Sequence, residues 1–339
     1  MMKIHDTLRD YISQQCAAAE AGGAKSTLLL ALCDAAYSRY LIGDEVFSAE
    51  GLEQFLATAR ACKLAGTGTG DGEALNVHLT AYVLGTLNLA SARHQAAVAA
   101  FVAGQDWRWE QIFDRNTLLP KWPWKYTHHS WRVSHWVGGA PSIIKSVRRL
   151  APERAAERGL PPVDDLLKAA DGLIDTRTGL LRTYKSDALQ FVFRQIYRLR
   201  HDPEVGDVGG IVHLHWVNYS QGRLPYKAGA ALFDSAWTLM QRAPFIEKAP
   251  YCLDFDIVQI VRTAAPTPAA LNDAIKARAD RYARDTMAFL AERIDGAYTL
   301  HKLPGALATV HECALIRGDA EAEGLGIAPI DIIKDAFWI

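Results

Sequence analysis

A chain of 339 residues with 50% hydrophobic and 22% charged content has ordinary globular composition and enough apolar material for a large core, which excludes intrinsic disorder. Lysine and arginine number 37 against 38 acidic residues, so no charge-driven partnership with nucleic acid or an anionic membrane surface is expected.

The first fifteen residues carry Lys3, Asp6, Arg9 and Asp10 and lack the apolar core of a signal peptide. No segment approaches the roughly 20 apolar residues that a membrane span requires, so no membrane insertion is expected. Cys16, Cys33, Cys62, Cys252 and Cys313 are odd in number, scattered and without CxxC spacing, which argues against a disulfide framework or structural zinc. A cytoplasmic setting fits best, or a periplasmic one for a chain trimmed of its leader. No Pro/Gly/Ser-rich linker divides the sequence, so a single domain over 1–339 is expected.

Helical periodicity dominates. Helices are expected over 4–21, 26–41, 49–64, 73–89, 94–103, 129–150, 163–174, 187–200, 210–220, 227–240, 253–263, 269–294 and 305–317. Segments that are apolar nearly all round, at 27–36, 75–89 and 257–261, alternate with two-sided, charged ones such as 268–295, where Asp273, Lys276, Arg278, Asp280, Arg281 and Arg284 mark a wet face. Such alternation describes an inner layer of buried helices inside an outer layer. Unequal spacing of the inner segments argues against an open solenoid. The expected fold is therefore all-α, an (α/α) toroid of about six helix pairs.

Polar and aromatic residues gather at the starts of the expected inner helices: Asn76, His78 and Tyr82; THHSWRVSHWVGGAP over 127–141; VHLHWVNY over 212–219; YCLDFD over 251–256; and His311 with Glu312. If inner helices run one way around a ring, these starts meet at one mouth, where helix dipoles and unpaired N–H groups favour bound oxygen atoms. His128, Trp131, Arg132 and His135 fall at i, i+3, i+4 and i+7, a stripe suited to stacking and hydrogen bonding with a sugar, with Trp136 as a further aromatic. The plainer reading makes the tryptophans core residues and the histidines helix-start residues. Gly138, Gly139 and Pro141 are expected to kink the helix just past His135.

His215, Asn218 and Tyr219 share a face, fit for abstracting a proton and protonating a leaving oxygen, and His213 is expected to point elsewhere. Asp254 and Asp256 face nearly opposite ways at the start of an apolar helix. Asp256 with Gln259 has capping-box spacing, which leaves Asp254 at the mouth as the expected catalytic acid. Asp34 and Tyr37 face similar directions within an apolar inner helix. HExxH is absent, and adjacent His128 and His129 cannot face one metal from a regular helix, so neither metal nor cofactor is expected. GxGxxG, P-loop and GxSxG elements are absent as well.

SHWVGGAP, Ser134 to Pro141, resembles the aromatic, Gly-x-Pro entrance to an inner helix of toroidal polysaccharide lyases, and THHSW, Thr127 to Trp131, is similar to their Asn/His-Ser-aromatic motif. The asparagine that would neutralise a uronate is replaced by Thr127 or His128. DTRTGLL over 175–181, RLPY over 223–226 and YCLDFD are similar to segments of toroid proteins associated with glycan metabolism, so the resemblance spans about residues 75–265. It implies a carbohydrate-active enzyme of the α/α toroid type acting on a small molecule or oligosaccharide. The favoured expectation is glycoside hydrolysis through Asp254 and Asp256, with polysaccharide lysis through histidine and tyrosine second. Two further classes remain open. One is a terpenoid cyclase or dehydratase-isomerase built on Asp34, Tyr37, His135 and Cys252, although the DDxxD of ionising cyclases is broken at Lys168. The other is a noncatalytic glycan-binding protein.

Overall fold

A computed structural model describes residues 2–68, 72–126, 129–182, 187–196, 203–223, 228–242, 244–294 and 297–339. Their order is α1 (Met2–Ala21), α2 (Lys25–Leu41), α3 (Ala49–Arg60), α4 (Val77–Ala103), α5 (Ser130–Val137), α6 (Gly139–Leu150), α7 (Pro152–Glu157) and α8 (Val163–Ala170). There follow α9 (Asp187–Ile196), α10 (Pro203–Ser220), α11 (Gly229–Met240), α12 (Cys252–Thr263), α13 (Asp273–Arg293), α14 (Leu303–Arg317) and α15 (Ile332–Ala336). Among the described residues the fold is all-α apart from a parallel pair of two-residue strands, β1 (Cys62–Lys63) and β2 (Glu73–Ala74). These strands replace the ends of two expected helices, because the intervening run GTGTGDG is poor in helix formers and rich in conformationally free glycine.

Two expected helices are joined in α4, which bends rather than breaks at His94 (φ −124°, ψ 35°), whose ring bonds the Phe47 carbonyl at 2.9 Å. α10 starts at Pro203, a full two turns before its expected start. The short α7 and α15 carry too few turns to show a periodicity.

The apolar segments pack where their composition directs them. α2 lies against α4, α4 against α5 and α6, α5 against α10, α10 against α12, α12 against α14, and α14 returns to α2. On the outside, α1 covers α2, α7 and α8 cover α6, α11 covers α12, and α13 covers α14. α12 is buried continuously from Leu253 to Val261, whereas α13 buries a single stripe through Ile275, Ala279, Tyr282, Ala283, Thr286 and Leu290. This is the inner and outer contrast expected from side-chain polarity.

The tail after α14 enters the circuit: α15 touches both α4 and α10. Gly85 makes room for it, since a Cβ there would lie 2.1 Å from the Tyr37 hydroxyl oxygen and 3.2 Å from the Ala336 carbonyl oxygen. Tyr37 donates to the Trp338 carbonyl at 2.5 Å, and the Trp338 side chain is fully buried. No helix among the described residues is long and apolar enough to cross a membrane.

Candidate active site

The inner helices enclose a cavity of about 360 Å³. Its wall carries His78 and Tyr82 of α4, Trp131, Arg132 and His135 of α5, His213 and Trp216 of α10, and Cys252 and Asp256 of α12. His129, His301, Pro304, Gly305 and Ile339 complete it. The first turns of α4, α12 and α14 border the cavity, α14 through Pro304 and Gly305 and not through the expected His311 and Glu312. α10 instead presents its middle, since it starts earlier than its polar residues implied.

Three imidazoles from three helices meet at one place. His78 and His135 stack with ring centroids 4.3 Å apart, and His213 stands edge-on to both, at 4.9 Å from His135 and 5.9 Å from His78. One ring nitrogen from each lies within 4.8 Å of the others. Burial holds all three in the neutral form and pushes His78 down to about 3; the neighbouring imidazoles push further on His135 and His213. His213 Nδ1 lies 2.6 Å from the Ser134 hydroxyl, which also donates to the Trp131 carbonyl at 2.8 Å. His78 Nδ1 is buried without a hydrogen-bond partner. Trp338 stacks on His213 at 4.6 Å and stands edge-on to His78.

Close backbone contacts fix this cluster. A Cβ on Gly138 would lie 2.3 Å from the His213 carbonyl carbon, and one on Gly139 would lie 2.9 Å from Val77 Cγ1. The helix divides just past His135, α5 ending at Val137 and α6 starting at Gly139, and the glycines at this junction, where Gly138 stays near helical dihedrals (φ −92°, ψ −42°), also serve contact between helices.

The two aspartates of α12 exchange the roles their spacing suggested. The helix starts at Cys252, so Asp254 occupies its first turn and accepts the backbone N–H groups of Tyr251 and Ile246, each at 3.0 Å, and the Tyr282 hydroxyl. Asp254 is therefore the capping carboxylate. Asp256 lies beyond the first turn, too deep to cap, and lines the cavity with Oδ1 lacking any hydrogen-bond partner. Burial, reinforced by the nearby Asp254, raises the Asp256 carboxyl well above the usual carboxylate range and so favours its protonated form.

α10 shows a second exchange. His213, expected to point away, faces the cavity, while His215 bonds the Thr263 hydroxyl at 2.6 Å. Asn218 donates to the Leu214 carbonyl and accepts from Arg223, and Tyr219 donates to Asp331 and accepts from Arg262. His215 and Tyr219 tie α10 to α12 and the tail, Asn218 holds Arg223 beyond the end of its own helix, and none of the three is part of the cavity wall. Trp136 stacks on Tyr126. His311 bonds the Leu41 carbonyl and the Ile330 N–H, while its neighbour Glu312 pairs with Arg262, so the two do not pair with each other. His128 lies outside the described residues.

Asp34 and Tyr37 support the wall from behind. Tyr82 donates to Asp34 at 2.8 Å, Tyr37 stacks on Tyr82 at 4.7 Å, and His301 bonds Asp34 at 3.0 Å. His301 stands between helices where no periodicity marks it, and its pairing with Asp34 spans 267 positions, so sequence spacing held no trace of it. The same applies to the three-histidine cluster. A search for metal-type spacing within one helix cannot find ligands drawn singly from α4, α5 and α10.

Compared with protein-family models, with curated proteins and with solved structures, the chain matches none.

Proposed function

We propose that the closed circuit of α2, α4, α5, α6, α10, α12 and α14 is the inner ring of a single-domain α/α toroid, and that its cavity is the active site of an enzyme cleaving a C–O bond in a sugar-like substrate. One observation carries this reading: Asp256 is a buried carboxyl on the cavity wall, its Oδ1 without a hydrogen-bond partner among the described residues, and burial favours its protonated form. A neutral acid held this way is suited to protonating a leaving-group oxygen. Trp131 supplies an apolar face, and Arg132 and Tyr82 supply polar contacts of the kind that hold hydroxyl-rich ligands.

Asp254 cannot supply the second carboxylate of a two-acid glycosidase, because it is committed to the α12 cap and Tyr282. The base therefore falls to a neutral imidazole of the cavity. In hydrolysis it takes a proton from water, the water oxygen bonds to carbon, and Asp256 gives its proton to the departing oxygen. Elimination, the second route, uses the same acid and base, with the proton taken from a substrate carbon and a double bond formed.

The test is a panel of neutral and acidic glycans and aryl glycosides, with the Asp256→Asn variant beside the wild type. Turnover that falls about a hundredfold to ten-thousandfold in the variant supports the reading; undiminished turnover removes Asp256 from the chemistry. A new reducing end marks hydrolysis, and an unsaturated, ultraviolet-absorbing product marks elimination. The location of Cys252 and His135 on the same wall, with Tyr82 backed by Asp34, favours dehydration of an apolar alcohol as the competing reading. Loss of water from prenyl alcohols with glycans untouched would establish it instead.

A further inference from the structure

We propose that His78, His135 and His213 form a binding site for a divalent transition metal of the zinc(II) type, with one coordination position open to the cavity. This rests on the enzyme reading of the cavity, keeps its acid and replaces its imidazole base, since a nitrogen lone pair held by the ion takes no proton; its test is metal uptake and does not depend on turnover.

The geometry has three parts. First, one nitrogen of each ring lies within 4.8 Å of the other two. A tetrahedral ion with metal–nitrogen bonds of about 2.1 Å holds its ligand atoms roughly 3.4 Å apart, so closing the site requires the stacked His78 and His135 rings to turn out of their stack toward a common point. Second, the donors stand on rigid elements rather than loops. α5 and α10 meet at Gly138 and at Gly210, where a Cβ would lie 2.8 Å from Ser130 Oγ, so the separation of His135 and His213 is fixed by backbone contact. Third, the polar surroundings are those of ligands. When the Ser134 hydroxyl gives its hydrogen to the Trp131 carbonyl, it accepts Nδ1–H of His213, and in that tautomer the lone pair is on Nε2. Such an outer partner fixes the tautomer and orientation of a metal-bound histidine.

His78 Nδ1 supplies the complementary signal. A buried nitrogen without a partner is costly, and here it belongs to a ring stacked against a second imidazole and edge-on to a third. A shared cation would engage nitrogen donors that the fold brings within 4.8 Å of one another. Three neutral nitrogen donors suit zinc(II) and its first-row neighbours rather than magnesium or calcium, which prefer oxygen. The open position would receive a water or substrate oxygen at the same wall as Asp256.

The experiment uses the intact chain, stripped with a chelator and titrated with zinc(II), and with cobalt(II) as a spectroscopic probe. The expected result is saturable uptake of one ion per chain, with visible cobalt absorption of tetrahedral strength. His78→Ala, His135→Ala and His213→Ala should each weaken uptake about a hundredfold or more, and Ser134→Ala about tenfold. His5→Ala should leave it unchanged, since His5 bonds the Leu325 carbonyl and is not on the cavity wall. Wild-type titration decides the matter even if a variant fails to fold. Absence of saturable uptake, or uptake unaltered in folded histidine variants, leaves only a stack of neutral imidazoles and overturns the proposal. Asp256→Asn separates the two readings. A variant that loses turnover while neither it nor the wild type binds metal sinks the metal site alone, and metal uptake with undiminished turnover in that variant sinks the acid alone.

Discussion

Arg262 of α12 closes on Glu312 of α14 through two hydrogen bonds, one from Nη2 to Oε1 at 2.9 Å and one from Nε to Oε2. The same guanidinium reaches Asp331 of the tail at 3.0 Å and donates to the Tyr219 hydroxyl of α10 at 3.0 Å. Glu312 is fully buried, and burial raises its carboxyl while Arg262 opposes that rise. One cation thus joins three inner helices and the inserted tail. Removing one member of a buried pair strands the other, so Glu312→Ala should cost about 3–5 kcal/mol in chemical denaturation. Tyr219→Phe removes one contact of the network and should cost about 1 kcal/mol with unchanged turnover. A large loss of turnover in that variant would return Tyr219 to the chemistry.

The aspartates of α12 should separate under the same substitution. Asp254→Asn exchanges a carboxylate that accepts two backbone N–H groups and a hydroxyl for an amide with one acceptor oxygen, and should destabilise by about 1–3 kcal/mol. Asp256→Asn removes a buried acid without breaking a hydrogen bond at Oδ1, and should leave stability equal or improved while turnover collapses. Equal stability losses in both would contradict their assigned roles.

Asp256 also sets a pH dependence. Its folded-state pKa is raised by burial and then by Asp254, so the folded chain keeps a proton that the unfolded chain releases above about pH 4. The stability this contributes is full below that pH and is lost as pH rises toward the folded-state value. The difference in unfolding free energy between wild type and Asp256→Asn should therefore shift against the wild type with rising pH above about 4, then level off. A difference independent of pH would mean that Asp256 is ionised in the folded chain.

Opposite reasoning applies to His301. The hydrogen bond that His301 donates to Asp34, with the charge of that carboxylate, raises the imidazole above its ordinary value. A raised histidine contributes stability below its unfolded value of about 6.5 and loses that contribution as pH climbs through the folded value. The His301 side chain is half exposed, so the effect on stability is small. Proton NMR should show His301 titrating above the ordinary range, and Asp34→Asn should bring it down.

Gly138→Ala tests the contact between α5 and α10. Its Cβ would sit 2.3 Å from the His213 carbonyl carbon, and backbone cannot yield as a flexible side chain does. We expect a cost of about 1–3 kcal/mol, accompanied by changed chemical shifts of His135 and His213. Gly22→Ala, whose nearest contact would be an ordinary 3.4 Å, should spare both.

What the sequence by itself determined was which segments are helical and which of them lie inside, because these follow from local chemistry: apolar residues all round at 75–89 and 257–261, a charged face at 268–295. It also pointed to polar and aromatic residues in otherwise apolar helices as candidates for one wall, and of these His78, Tyr82, Trp131, Arg132 and His135 line the cavity together whereas Asp254, His215, Asn218 and Tyr219 do not. Tertiary structure alone decided what each does. Asp254 and Asp256 differ by two positions, so the start of α12 at Cys252 settles which one caps and which faces the cavity. His213 and His215 likewise differ by two positions on α10, and the rotation of that helix against α5 and α12 turns one imidazole to the cavity and the other to Thr263. Helical periodicity gives the angle between such residues but not the direction of the ring's centre. The histidine cluster and the Asp34–His301 bond are written in no local spacing, since their members come from different elements and meet only when the circuit of helices closes.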